Sequence, residues 1–325
     1  MSYLPENLRV LGYNSSDQQV QLPAPLAFEL VKSFDSPAQS FEAVFPCLRA
    51  YSELFRIDLY HGETKLFAGF IDEQTYTYDD RGGRLTILAR SIGARLLDNE
   101  AAPRNYTNVY LLDMYNWHVK PYGLLLPNAS INPFFNRYQV LKGTTEWEAF
   151  FNFLRSSQYG CAYVSDYGEI ILSAHPPVRG TLTFSNRQKD ALRFSSLKFT
   201  NDRYSPITKF LIRDSDGQYS YSYTNPEEKS LGLTRKRYLI PAEEFTPFSG
   251  GGEMEGMIRV RHSMLGKRVI TLTCPGLLEA RFCDRANVDA GLYQWSELFV
   301  YQVRHRMSAG GCSTVLTLLN SNYIL

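Results

Sequence analysis

The chain holds five cysteines and five histidines, the residue types most readily turned to nucleophilic, redox or metal chemistry. Their spacing argues against such use. Cys47, Cys161, Cys274, Cys283 and Cys312 are scattered and form no C-x-x-C clip, so they read as free thiols and small apolar fillers rather than a zinc or redox site. Cys161 is the one candidate nucleophile, as in a cell-wall peptidase. It follows a helix-ending Gly160, opens an alternating strand and has no histidine near it in sequence, so a buried structural role is expected. His61, His118, His175, His262 and His305 contain no i, i+4 pair that would chelate a metal on one helix face. The acidic pairs Asp79-Asp80, Glu227-Glu228 and Glu243-Glu244 are sequence neighbours on polar turns. Glycoside hydrolysis needs two carboxyls facing across a cleft, roughly 5 to 9.5 Å apart.

Asp214-x-Asp216-Gly217 faintly matches the start of a calcium loop, but Tyr219 and Asn225 stand where the glycine and final glutamate belong, so a hairpin turn is expected. No phosphate-binding, dinucleotide, serine-hydrolase or metalloprotease signature occurs. The expected protein is therefore not an enzyme, with no catalytic, cofactor-binding or metal residues and no cofactor. Two basic clusters remain: Arg235-Lys236-Arg237, and Arg259, Arg261, His262, Lys267 and Arg268. They suit phosphate contact less well than edge protection or pairing with acidic residues of a neighbouring subunit, because the whole chain is neutral.

That neutrality is plain in the composition: 34 Lys+Arg balance 33 Asp+Glu, a net charge of +1 over 325 residues. A dedicated nucleic-acid binder would carry a basic footprint. No apolar run is long enough for a membrane-spanning helix, and Met1 to Glu6 has no signal-peptide character, so a soluble protein made in the cytosol is expected. Aromatic residues make up 14% of the chain, which suits either packed cores or a permanent interface.

The elements that would carry these residues are mostly strands. Phe41, Ala43 and Phe45 alternate with polar or smaller neighbours, as do Phe55, Ile57 and Leu59, then Leu66, Ala68 and Phe70, then Leu85, Ile87 and Ala89. Turn residues His61-Gly62-Glu63 and Asp79 to Gly83 separate them, and a short helical turn over Ser91 to Leu97 closes the unit. Asn108 to Val119 reads as a helix ended by Pro121 and Gly123. Thr145 and Glu148 form a capping box before Trp147, Phe150, Phe151 and Leu154 on one helical face. A hairpin follows across Asp166-Tyr167-Gly168, and Pro176-Pro177 ends the segment. Strands return from about Thr181, with Gly250-Gly251-Gly252 read as a flexible tip.

The fold class is β-rich α+β: two antiparallel barrel-like β domains with a small α+β domain between them. Residues 1–98 form the first β domain, 99–185 the connecting domain and 186–325 the second β domain, with 225–266 a candidate insertion.

In this order the elements resemble the baseplate hub proteins of contractile phage tails and related prophage or tailocin particles. The resemblance rests on Phe28-Glu29-Leu30, Ser40 to Phe45, Phe55 to Tyr60, Gly69-Phe70-Ile71-Asp72, Ala89-Arg90-Ser91 and Leu96-Leu97-Asp98. It extends at the end of the chain to Val300 to Ser308, Gly310-Gly311 and Ser313 to Leu318. The resemblance implies a homotrimer whose two β domains per chain make a ring of six similar units, joining a threefold spike to a sixfold tail tube. The implied partners are the spike protein, the tube or its initiator, and the tape-measure protein, with no membrane and no specific nucleic acid. The implied location is the baseplate of a virion or tail-like particle assembled in a bacterial cytoplasm. The resemblance implies no catalytic residues in these domains.

Two other readings stand beside it: a β-rich surface module that binds carbohydrate, and a tail-associated peptidoglycan hydrolase. Separately, the turn Asp79 to Gly83 followed by Arg84 to Arg90, and the turn Ser308 to Gly311 followed by Ser313 to Leu319, predict that the two β domains share one strand order.

Overall fold

Period-two alternation buries Phe41, Ala43 and Phe45 beneath one face of a strand, and the same rule builds the rest of the first unit. The computed structural model describes residues 7–127, 131–156, 161–173, 178–241 and 251–324. The first unit contains β1 (Leu8–Tyr13), β2 (Gln19–Leu22), β3 (Ala27–Ser33), β4 (Ser40–Pro46), β5 (Arg56–His61), β6 (Thr64–Asp79), β7 (Gly82–Arg90) and the short helix α1 (Ala94–Asp98). Its spatial order is β2-β1-β5-β6-β7-β4-β3, antiparallel throughout. Phe41, Phe45, Phe67, Leu30, Ile57, Leu59, Leu85 and Ile87 fill its core.

At the end of β7 the chain must pass very close to the β3–β4 turn. A Cβ on Gly93 would lie 1.9 Å from the backbone oxygen of Pro37, which no side-chain adjustment relieves. Gly93→Ala is expected to destabilise the first unit by about 1–3 kcal/mol through this overlap. Urea unfolding measures the loss, and an unchanged midpoint would refute it.

The connecting domain contains β8 (Arg104–Tyr110), α2 (Leu111–His118), β9 (Phe134–Val140), α3 (Glu146–Ser156), β10 (Cys161–Val164) and β11 (Ile170–Ser173). The stretch expected as helix from Asn108 is strand up to Tyr110, and the helix begins at Leu111. The capping box forms as expected: Thr145 Oγ1 accepts from the Glu148 amide at 3.1 Å and Glu148 Oε2 accepts from the Thr145 amide at 2.9 Å. Phe153 packs edge-on against Phe135 and Tyr138, and Trp147 stacks on Phe151. Gly160 and Pro176-Pro177, expected to end elements here, lie outside the described residues.

The rest of the chain adds β12 (Thr181–Ser185), β13 (Ser196–Asn201), β14 (Lys209–Ile212), β15 (Tyr221–Thr224), α4 (Glu228–Leu231), β16 (Lys236–Leu239), α5 (Gly251–Leu265), β17 (Arg268–Pro275), β18 (Arg285–Asp289), β19 (Gln294–Ser308) and β20 (Gly311–Asn320). The second unit has the order β12-β18-β19-β20-β17-β13. β12, in the stretch read from sequence as connecting domain, pairs with β18 of this unit. β14, β15 and β16 form a separate sheet whose apolar side packs with Val260 of α5. Gly251 and Gly252, expected as a flexible tip, instead open α5; a Cβ on Gly252 would come within 2.9 Å of Ile212, so the helix seats closely on that sheet. Gly250 and the Glu243-Glu244 pair lie outside the described residues.

The three parts are tied together by a shared apolar cluster. Phe34 after β3 meets Tyr163 of β10, Phe299 of β19 and Tyr301, and Phe282 meets Tyr163 edge-on. Such mutual packing of aromatic rings fixes the orientation of the connecting domain on the β units.

Candidate assembly surface

Several of the residues first weighed for chemistry have structural partners. Cys161 opens β10, and its side chain lies outside the described residues, as does His175. Cys47, Cys274 and Cys312 are free thiols, and burial pushes Cys274 up to about 11, far from a reactive thiolate. Asp214 takes its own turn in hand: its carboxylate accepts the amides of Asp216 and Gln218 and the Ser220 hydroxyl between β14 and β15. Asp79 pairs with Arg84, and Glu227 with Lys267 and the Tyr323 hydroxyl. The second basic cluster is partly neutralised, because Arg259 pairs with Glu255 within α5 and Lys267 is buried against Glu227. Arg235 lies 3.9 Å over the Tyr204 ring. Among the described residues no group of three His, Cys, Asp or Glu is placed to hold a metal, and no helix is long and apolar enough to cross a membrane.

One polar network escaped the sequence reading. His118, at the end of α2, is buried with its Nδ1 2.5 Å from Glu146 Oε2, while its Nε2 is 2.9 Å from the Tyr106 hydroxyl. With Nδ1 donating to the carboxylate, Nε2 accepts from Tyr106, and Tyr122 donates to the other oxygen of Glu146 at 2.9 Å. Burial, assisted by Glu146, pushes the Tyr122 phenol up, and burial does the same to Tyr106. Both ring nitrogens of His118 and both carboxylate oxygens of Glu146 are engaged within the relay, so it straps β8, α2 and α3 together. Nothing in sequence marks it, since His118 and Glu146 are 28 residues apart.

The elements that carried the family resemblance meet in space. Arg90 of β7 makes two hydrogen bonds to Asp72 (2.7 and 2.9 Å) and two to Asp98 (2.9 and 2.8 Å). Arg90 hydrogen bonding holds the Asp98 carboxyl below its ordinary range. The Ser91 hydroxyl accepts the Gln39 amide at 2.9 Å, joining the same corner to β4.

The feature most relevant to function is the repetition of one unit. Dropping β2, the first order is β1-β5-β6-β7-β4-β3 and the second β12-β18-β19-β20-β17-β13. These are the same order when the strands of each unit are ranked along the chain, so the predicted kinship holds. One edge differs: β1 runs antiparallel to β5, whereas β12 runs parallel to β18.

The match extends to register. The bulged residue of the long hairpin is Asp72 in one unit and Tyr301 in the other, and the turns end at Gly82 and Gly311, so both pairs are offset by 229. Both glycines have φ above +100°, which the turn requires and other residues resist. The cross-strand pair Ala43 and Ile87 becomes Leu272 and Leu316 at the same offset, and Ile57 with Gly69 becomes Ala286 with Leu298. Core positions therefore coincide while residue types change freely. Arg56 and Arg285 also coincide, and each has a buried Nε with no hydrogen-bond partner.

The two units join edge to edge. Gln302 to Met307 of β19 pair antiparallel with Phe28 to Ser33 of β3, making one continuous sheet. Arg306 pairs with Glu29 across the seam at 2.6 Å, with Arg304 at 3.7 Å from the same carboxylate. Beneath it, Lys32 Nζ reaches Asp166 of the connecting domain at 2.8 Å, and Gln39 donates to the same oxygen at 2.6 Å. The face opposite the cores is polar and mixed in charge, including Glu29, Glu42, Arg304 and Arg306.

Comparison with solved structures places this architecture. The chain is similar to the 43 kDa tail protein of prophage MuSo2 from Shewanella oneidensis (TM-score 0.79, 14% identity, 98% of this chain and 100% of that one). It is similar to a tail protein from Neisseria meningitidis MC58 (TM-score 0.77, 16% identity, 98% and 99%). A component of the Escherichia coli type VI secretion system, itself described as structurally similar to T4 bacteriophage tail proteins, matches at TM-score 0.56 and 8% identity over 97% of this chain and 77% of that one. No family model matches the chain, and no curated protein matches it. The chain has the fold of phage and prophage tail proteins.

Proposed function

We propose that the chain is the structural hub of a contractile-tail baseplate, three copies forming a pseudo-sixfold ring between a threefold spike and the sixfold tail tube. The observation that carries this reading is the internal repeat. Two units with one strand order, a shared register and a shared bulge let three chains present six near-equivalent surfaces. The fold it shares with prophage tail proteins supports the same setting. The partners are the spike on one side, the tube or its initiator on the other, and the tape-measure protein, in a particle assembled in a bacterial cytoplasm. The role is mechanical rather than catalytic, in keeping with buried, self-satisfied His118 and Glu146 and a Cys274 thiol far from ionisation. Imaging of the intact particle by electron cryomicroscopy is expected to place three copies at the spike end of the tube. One copy or six copies there would overturn the proposal.

A further inference from the structure

The basic run Arg235-Lys236-Arg237 lies outside both repeated units, at the small sheet β15-β14-β16. One face of that sheet is covered: Phe210, Ile212 and Leu239 pack with Val260 of α5, and Tyr223 lies close to Gly256. Alternation sends Lys209 and Leu211 of β14 to the other face, followed by Arg213. Lys236 and Tyr238 of β16 flank them on one side, and Ser222 and Thr224 of β15 on the other. This second face is open, with Tyr238 and Ile240 67% and 61% exposed.

The charges on the open face are set against one another. Lys209 is the register partner of Lys236, so two ammonium groups leave neighbouring strands on the same side, their backbones about 4.8 Å apart. Like charges so placed cost stability unless something neutralises them. Among the described residues, neither lysine nor Arg213 has an ion pair. No carboxylate stands at an outward position of the three strands, and Asp214, next to Arg213, uses its own in the β14–β15 turn. Edge protection accounts for charge on β16, an outer strand, but Lys209 is on the central one. Between the charges the face is apolar: Leu211 and Tyr238 are register partners, and Tyr219 meets the Tyr238 ring edge-on at 4.9 Å. A ring braced in this way loses little freedom when a partner covers it.

We propose that this face docks an acidic segment of a partner protein. Carboxylates near one end of the segment meet Lys209 and Lys236, and one near the other end meets Arg213, roughly 13 Å further along the strand. An apolar side chain between them covers Leu211 and Tyr238. Charge complementarity selects this occupant. A second copy docked through a twofold contact would set the same cations against one another. A nucleic-acid strand would meet aliphatic Leu211 and Ile240 where base-stacking rings belong, on a chain whose net charge is only +1. The face belongs to neither repeated unit, so the proposal stands independently of the hub reading.

The test places the photo-cross-linker p-benzoylphenylalanine at Ser222, exposed beside Leu211, in the full-length chain within the cells that naturally make it. After irradiation, mass spectrometry of the joined peptides is expected to find a segment of another protein in which carboxylates flank an apolar residue. Lys209→Glu with Lys236→Glu is expected to cut the yield about tenfold, because like charges then face each other across the contact. Exchanging the partner's carboxylates for lysine is expected to restore it. Lys236→Gln, which relieves the internal repulsion, is expected to lower the yield without lowering the urea midpoint, and it keeps the test decisive if the double reversal fails to fold. A cross-link to nucleic acid, to this chain itself or to a neutral or basic segment would overturn the proposal. So would an acidic segment whose yield ignores the charge changes, or no cross-link at all.

Discussion

Asp166→Ala is expected to cost about 3–5 kcal/mol of stability, because it strands a buried ammonium. Lys32 Nζ lies 2.8 Å from Asp166 Oδ1, with the two side chains only 9% and 24% exposed. Burial pushes the Asp166 carboxyl up, but Lys32 and the Gln39 hydrogen bond outweigh it and hold the group below its ordinary range. Lys32 sits on the strand that forms the seam, while Asp166 is in the β10–β11 turn, so the pair anchors the connecting domain on the seam itself. Replacing both partners, Lys32→Met with Asp166→Ala, removes the stranded charge and is expected to recover most of the loss. Denaturant unfolding of the two single variants and the double variant measures the coupling. A single Asp166→Ala variant within about 1 kcal/mol of the parent chain would show that water reaches Lys32 in its place.

How much of this was legible beforehand depended on whether neighbouring elements left their trace in alternation. The core strands of the first unit, with Phe41, Ala43 and Phe45 or Leu85, Ile87 and Ala89, each bury one face and read directly. β8 did not, because Asn108 adopts a φ of 52° and is skipped in the pairing with β9, so Tyr106 and Val109 are both buried three residues apart. Val109, Leu112 and Tyr115 also fall three apart and read as one helical face from Asn108, although Val109 belongs to the strand and the helix begins at Leu111. α5 was hidden by its glycines, which are selected by close approach to Ile212 and Tyr223 rather than by helix propensity. β13 shows almost no alternation, since one of its edges and much of its face are exposed. The matching Gly turns pointed to the repeat, yet the seam between β19 and β3 joins residues some 270 apart and follows from no local pattern.

Acidification is expected to weaken the chain between about pH 6.5 and 4, through His305 at the centre of that seam. The Thr314 hydroxyl donates to the Gly276 carbonyl at 2.9 Å and accepts from the Leu278 amide at 2.8 Å, so His305 Nδ1, 3.1 Å away, must be the donor to its remaining lone pair. In the neutral imidazole that burial favours, the proton therefore sits on Nδ1 and Nε2 is the protonation site. Burial lowers its pKa from 6.5 to about 4; the Lys32 ammonium and His61 push in the same direction, and Asp166 opposes them. Below pH 6.5 the unfolded chain takes up a proton that the folded chain refuses, so stability is full above that pH and falls until the folded group protonates near pH 4. The shift corresponds to about 3 kcal/mol. Asp166 acts in a different window, because a lowered carboxyl pKa costs stability only as the pH falls through the ordinary carboxylate range and below. His305→Asn keeps an amide donor for Thr314 without a titrating ring, and is expected to flatten the dependence of unfolding free energy on pH between 6.5 and 4. If the parent chain and His305→Asn show equal slopes across that interval, the proton is being taken up elsewhere and the seam does not sense pH through this residue.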